Sequence, residues 1–201
     1  MTKITPLVSI VTNFRETNAE VLKVIHELSD DQLRWRPNPF CHSMAFIVWH
    51  IARWTDHLQA TIPGMTEELA RRLPTGQQVW DKGQFAKHWG FDAAKLGYLE
   101  TGTDIDIDFE DMGEPNWPKK DVLLNYAQQV FLAVDHAIGS IDEEQFQKFE
   151  RQQYNDDIME RYRAKTNTVG NAIMEHLIHN VHHMGEFYYL RGLRKHAESG
   201  T

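Results

Sequence analysis

Four stretches of the chain place apolar residues three and four apart, the spacing that puts them on one face of an α-helix. The first opens with Thr5 as an N-cap and Pro6 at the first helical position, sets Leu7, Val11, Phe14, Leu22 and Ile25 along one stripe, and is expected to run to about Ser29. The second begins at Ser43 and carries Ile47, Ile51, Trp54 and Leu58 before Pro63 and Gly64 stop it. A third starts near Pro118, with Val122, Tyr126, Val130, Ala133 and Ala137 as its predicted buried side. The fourth extends from about Thr168 to Gly192 and gathers Ala172, Ile173, His176, His179, His183 and Leu190. Strand-like alternation is almost absent, so helix-on-helix packing is the core to expect. The predicted fold is an all-α four-helix bundle in one domain spanning residues 1–201.

The connections refine this picture. A short Pro-containing link, Arg36-Pro37-Asn38-Pro39, joins the first two helices. Residues 61–117 form a much longer crossover between the second and third, enough chain to return along the bundle. Short helices are expected at Met65 to Arg72, Gln84 to Trp89 and Tyr154 to Tyr162. The alternating run from Asp104 to Glu110 resembles a calcium loop only superficially: counted from Asp104, the sixth and twelfth positions are Phe109 and Pro115, where an EF-hand needs Gly and Glu.

Composition narrows the function. A formal charge of -8 lacks the clustered Lys and Arg that a nucleic-acid partner requires. Neither a leader pattern nor a membrane-length apolar run is present, and the lone Cys41 permits no intramolecular disulfide, so a cytoplasmic protein is the expectation. Cys41 beside His42 has no third group to orient it as a nucleophile. The chain also holds 11 histidines, and His176, His179, His182 and His183 fall within one short span of the fourth helix.

On a helix, residues i and i+4 share a face about 6 Å apart along the axis, close enough for two imidazoles to meet one ion. His176 and His183 are about 10 Å apart, too far to share one, and every workable pair (176/179, 179/182, 179/183) includes His179. A further ligand must come from another helix. His50 lies about 60° from Ile47 and about 40° from Trp54 on the wheel, facing the core, and a neutral imidazole there suits zinc, nickel or iron. His57 shares that side nearer the rim. Glu186, one turn past His183, can orient a ligand or act as a base, or simply pack. Trp49, Trp54, Tyr188 and Tyr189 are candidate pocket walls or core, and Arg191 a candidate anion contact or an ordinary helix-end charge.

The segment His179-Asn-Val-His-His183-Met-Gly185-Glu186-Phe, followed by Tyr189-Leu-Arg191-Gly192, resembles the closing helix of DinB-like proteins. The stretch from Ser43 through Trp49-His50-Ile-Ala-Arg53-Trp54-Thr-Asp56-His is similar to that family's first metal-ligand helix. Trp80 to Gly90 resembles the connecting region of a branch related to mycothiol-dependent maleylpyruvate isomerases. The resemblance runs from about residue 5 to 193. It implies a four-helix bundle, often a homodimer, with a divalent metal on His50, His179 and His183. Some relatives carry Glu where His179 stands, which separates this chain from their substrates.

Three histidines leave a coordination position open, as catalytic sites do. Family members of known activity use that position to activate a low-molecular-weight thiol against a small electrophile, which makes a metal-dependent thiol S-transferase the leading expectation and a non-catalytic metal-binding stress-response protein the alternative. A di-iron oxidase is excluded because no histidine has Glu three residues before it. Sulfoxide synthases with a DinB-like domain need a large second domain for which there is no room.

Overall fold

The computed structural model describes residues 5–91, 116–148 and 168–200. No strand occurs among them, and the protein is all-α. The Asp104 to Glu110 run and the Tyr154 to Tyr162 helix lie outside the described residues.

Helix α1 (Pro6–Glu27) begins as the sequence predicts: the Thr5 hydroxyl accepts the Val8 N–H, and Pro6 fills a position whose own N–H has no use. It stops short of Ser29 because Ser29 starts something else. Its hydroxyl accepts the Gln32 N–H while the Gln32 side chain returns to the Ser29 N–H, a reciprocal cap for the short α2 (Asp30–Arg34). Ser43 caps α3 (Met44–Met65) in the same manner through the Phe46 N–H. Pro63 sits inside the last turn of α3, so the helix ends two residues beyond it, where Thr66 turns extended to cap α4 (Glu67–Arg72). Then come α5 (Val79–Lys82) and α6 (Phe85–Trp89).

Beyond the crossover stand α7 (Lys120–Gly139), the short α8 (Glu143–Phe146) and α9 (Val169–Ser199). The buried stripe of α7 is Leu123, Tyr126, Ala127, Val130, Val134, Ala137 and Ile138, whereas Val122 is exposed and Ala133 only partly buried. The expected stripe is therefore rotated by about one residue. Helix α9 passes Gly192 without breaking and is closed by Gly200, whose φ of 68° is the left-handed geometry glycine supplies cheaply.

Helix α3 packs against α7 and α9, and α1 against the same two. The core falls into two apolar clusters. One joins the C-terminal half of α1 (Val21, Val24, Ile25), the N-terminal half of α3, the start of α7 and Met184, Phe187 and Leu190 of α9. The other joins Ile10 and Phe14 of α1, Leu58 and Ile62 of α3, the end of α7 and Val169, Ile173 and Leu177 of α9. Hence α1 and α9 run one way and α3 and α7 the other, an order that requires a long return between α3 and α7.

Between the two clusters lies a belt of buried polar side chains. His50, Arg53, Thr55 and Asp56 of α3 are fully buried, and Asn180 of α9 is 1% exposed. Asp56 organises the belt. Its Oδ1 accepts the Val79 N–H (2.8 Å) and the Gln59 amide (2.9 Å), and its Oδ2 accepts the Trp80 N–H (2.8 Å), the Tyr126 hydroxyl (3.1 Å) and Arg53 (3.3 Å). Gln78, the N-cap of α5, makes no side-chain cap bond, so Asp56 supplies from α3 the acceptors that α5 lacks locally. The Arg53 guanidinium lies 4.8 Å over the Trp80 ring.

Candidate metal centre

Residues 44–53 of α3 are buried without interruption, so His50 cannot turn toward water whatever its rotamer. Facing it, α9 presents His179 and His183 on adjacent turns, both partly buried. The structure brings these three side chains together: one ring nitrogen from each lies within 4.8 Å of the other two. Ring centres are 5.1 Å apart for His50 and His179, 4.6 Å for His50 and His183, and 4.4 Å for His179 and His183.

The outer nitrogens are held. His179 Nδ1 meets Asn180 Oδ1 at 3.2 Å, and the amide nitrogen of Asn180 donates to the Thr55 hydroxyl on α3 at 3.1 Å. His183 Nδ1 meets Glu186 Oε2 at 2.8 Å. With the proton on Nδ1 in both, each Nε2 keeps its lone pair for the space between the helices. Across that space His50 Nε2 and His179 Nε2 are 3.1 Å apart, and His50 Nδ1 is buried without a hydrogen-bond partner. Two nitrogens at about 2.1 Å from a tetrahedral ion stand about 3.4 Å from each other, so the gap needs to open by only a few tenths of an ångström.

The electrostatics favour neutral donors. Burial first, then the neighbouring histidines, push His50 down to about 2. Burial, and then His183, push His179 down to about 4. Both imidazoles are uncharged at neutral pH without a metal to hold them so, and a neutral imidazole is the form that binds zinc, nickel or iron. The residues present fit a divalent transition-metal ion.

Aromatic rings wall the site. Phe46 stacks on His50 (5.5 Å between centres) and Trp54 lies 4.8 Å from His179. Behind Phe46 comes His42, stacked on it at 4.0 Å and close enough to feel the charges of Glu186 and His183, with burial pushing its imidazole below the ordinary value. Sequence reasoning weighed His42 only beside Cys41 and missed this placement; its signal was the i,i+4 step from His42 to Phe46 and again to His50. His57 and His176 sit past Trp54 on the other flank. His182 is exposed. Trp49 belongs to the aromatic core around Trp80 and Trp117, Tyr188 hydrogen-bonds Glu20, Tyr189 is exposed, and Arg191 pairs with Glu27 at 3.0 Å rather than standing ready for an anion.

Comparison with known proteins bears on the family and the fold. The chain matches the DinB superfamily over residues 13–187. No curated protein matches it. Among solved structures, a conserved protein from Enterococcus faecalis superposes with a TM-score of 0.68 over 94% of this chain and 96% of that one, at 15% identity, which is a likeness of fold.

Proposed function

The chain belongs to the DinB superfamily, and on that footing we propose that it is a metal-dependent thiol S-transferase whose ion sits on His50, His179 and His183. The observation that carries the metal is the convergence of three ring nitrogens within 4.8 Å, two of them oriented by Asn180 and Glu186. A divalent ion with an open position supplies Lewis acidity that brings a low-molecular-weight thiol to its thiolate form at neutral pH. In the transfer, the thiol sulfur forms a bond to the electrophilic carbon, the leaving group departs with the bonding pair, and the thiol proton goes to solvent. Glu186 is 55% exposed and 2.8 Å from His183, so it both fixes that ligand and offers a carboxylate through which the proton can leave. Phe46 and Trp54 keep the triad's surroundings apolar, which limits the access of water and lowers the local dielectric around a bound thiol. Zinc, nickel and iron all suit this donor set, and a thiol such as bacillithiol or mycothiol with a small electrophile is the substrate pair we infer.

The test is conjugation of bacillithiol, mycothiol or cysteine to monochlorobimane by protein purified without a His-tag. Turnover should vanish on chelation, return with Zn, Ni or Fe(II), and be absent from His50→Ala. Tight metal binding with no thiol-dependent turnover would instead assign the alternative, a non-catalytic metal-binding stress-response protein. A second copy of the chain is the protein partner we infer, because the outward side of α9 exposes Met174, Ile178, Val181, Tyr188 and Tyr189 together. Sedimentation at twice 23.5 kDa is expected, and a monomer at micromolar concentration would refute it.

A further inference from the structure

A line of hydrogen bonds runs into the triad from Thr55, which is fully buried on α3. Thr55 Oγ1 accepts the side-chain amide nitrogen of Asn180 at 3.1 Å, and Asn180 Oδ1 meets His179 Nδ1 at 3.2 Å. His179 Nε2 in turn lies 3.1 Å from His50 Nε2, and the line stops at His50 Nδ1, which is buried with no hydrogen-bond partner. We propose that Thr55 is a positioning residue for the triad: by accepting from Asn180 it decides which nitrogen of His179, and through it of His50, carries the proton. Its bearing on the ion rests on the triad being a metal centre, not on thiol transfer.

The direction of the line follows from its two ends. A proton on His50 Nδ1 would be a buried N–H with no acceptor, and folded chains tolerate an unused lone pair more readily than an orphaned N–H. The His50 proton therefore sits on Nε2 and is donated to His179 Nε2. His179 then carries its own proton on Nδ1, donates it to Asn180 Oδ1, and leaves the amide nitrogen to face Thr55. In the opposite direction the Thr55 hydroxyl would donate to Asn180 Oδ1, the amide nitrogen would turn toward His179 Nδ1, and the His179 proton would move to Nε2. That arrangement strands a proton on His50 Nδ1 and leaves His179 no lone pair to offer the space between the helices.

The line thus readies His179 as a donor through Nε2 with no change of tautomer. His50 has to shift its proton from Nε2 to Nδ1 before its own Nε2 is free. His183 is fixed separately, by Glu186 at its Nδ1. A change at Thr55 should therefore reach His179 and leave His183 alone.

Long-range nitrogen–proton NMR spectra of the imidazoles in tag-free, metal-free protein, assigned with His50→Ala and His179→Ala, read the tautomers directly. Wild type should show His179 protonated on Nδ1 and His50 on Nε2. Thr55→Val, which removes the acceptor but little volume, should mix the two tautomers of His179, leave His183 unchanged, and weaken zinc binding roughly tenfold in competition with a chromophoric chelator. Thr55→Ser keeps the hydroxyl and should restore both readings. Asn180→Ala removes the link and should mix the His179 tautomers as well, with no further effect of Thr55→Val in that background. His179 protonated on Nε2 in the wild type, wild-type tautomers in Thr55→Val, or bound zinc held equally by both proteins would overturn the proposal. A wild type that takes up no zinc, while Thr55→Val still mixes the tautomers, sinks the metal reading and leaves this one standing. Should Thr55→Val not fold, the wild-type tautomers and Asn180→Ala decide in its place.

Discussion

Acidification should unfold the metal-free protein along a slope to which His50 makes a separable contribution. An unfolded imidazole titrates near 6.5, whereas in the folded protein His50 is lowered to about 2 and His179 to about 4. Between those limits the unfolded chain binds protons the folded chain refuses, so stability is fully present above about pH 6.5 and is lost as the pH falls. At pH 5.5 each group contributes a difference of about 0.9 proton, or about 1.2 kcal/mol of stability per pH unit. The two together give about 2.4 kcal/mol per unit and, from pH 7.5 to 5, a loss of about 4 kcal/mol, a large part of an ordinary domain's stability. Replacing His50 with Leu removes one such proton from the balance, and the slope near pH 5.5 should fall by about 1.2 kcal/mol per pH unit. The measurement is urea denaturation in the presence of a chelator at half-unit steps of pH, for wild type and His50→Leu side by side. His42, also lowered by burial, titrates in both proteins and cancels in the comparison. Equal slopes would mean that His50 is protonated in the folded state and that the neutral-donor account of the site is wrong.

Three further outcomes are expected. Glu186→Gln should keep the fold but weaken metal binding by roughly 10- to 100-fold, as measured by competition with a chromophoric chelator, because it replaces the carboxylate that holds His183 Nδ1. Asp56→Ala should cost about 3 to 5 kcal/mol in chemical denaturation, since Arg53 is left fully buried without its carboxylate and Val79 and Trp80 lose their acceptor; a cost below about 1 kcal/mol would contradict that role. Gly76→Ala should lower the thermal midpoint, because a Cβ there would come within 1.7 Å of the Ala60 carbonyl oxygen, and an unchanged midpoint would show that the segment shifts at no cost.

The sequence carries the long helices plainly, since their caps are local: Thr5, Ser43 and Thr168 each precede an apolar repeat and each accepts an N–H three residues on. The three gathered histidines are likewise readable, because i,i+4 spacing on α9 and an inward wheel position on α3 are properties of single helices. What depends on how helices meet is less visible. Val122 and Leu123 are both apolar, and the choice of which faces inward is made by α1 and α3 rather than by α7 itself. Arg53 and Asp56 stand at i,i+3, a spacing that by itself suits a surface pair as well as a buried one. The clue to burial is in their surroundings: they are the only Asp, Glu, Lys or Arg in α3, a helix with little polar face to put them on. The short α5 gives no local signal at all, since its acceptors come from Asp56.

The polar belt bears on how firmly α3 and α9 are locked lengthwise. Apolar side chains mesh almost as well after a helix slips by one turn, about 5.4 Å, because a stripe of Leu, Ile and Val looks much the same from either position. Directional bonds do not forgive such a slip. Moving α9 by one turn would strand Asn180 opposite Leu58 instead of Thr55, and moving α3 would carry Asp56 away from Val79, Trp80 and Tyr126 together. The alignment of His50 with His179 and His183 is thus guarded by contacts that never touch an ion. The site is set in place before any metal arrives.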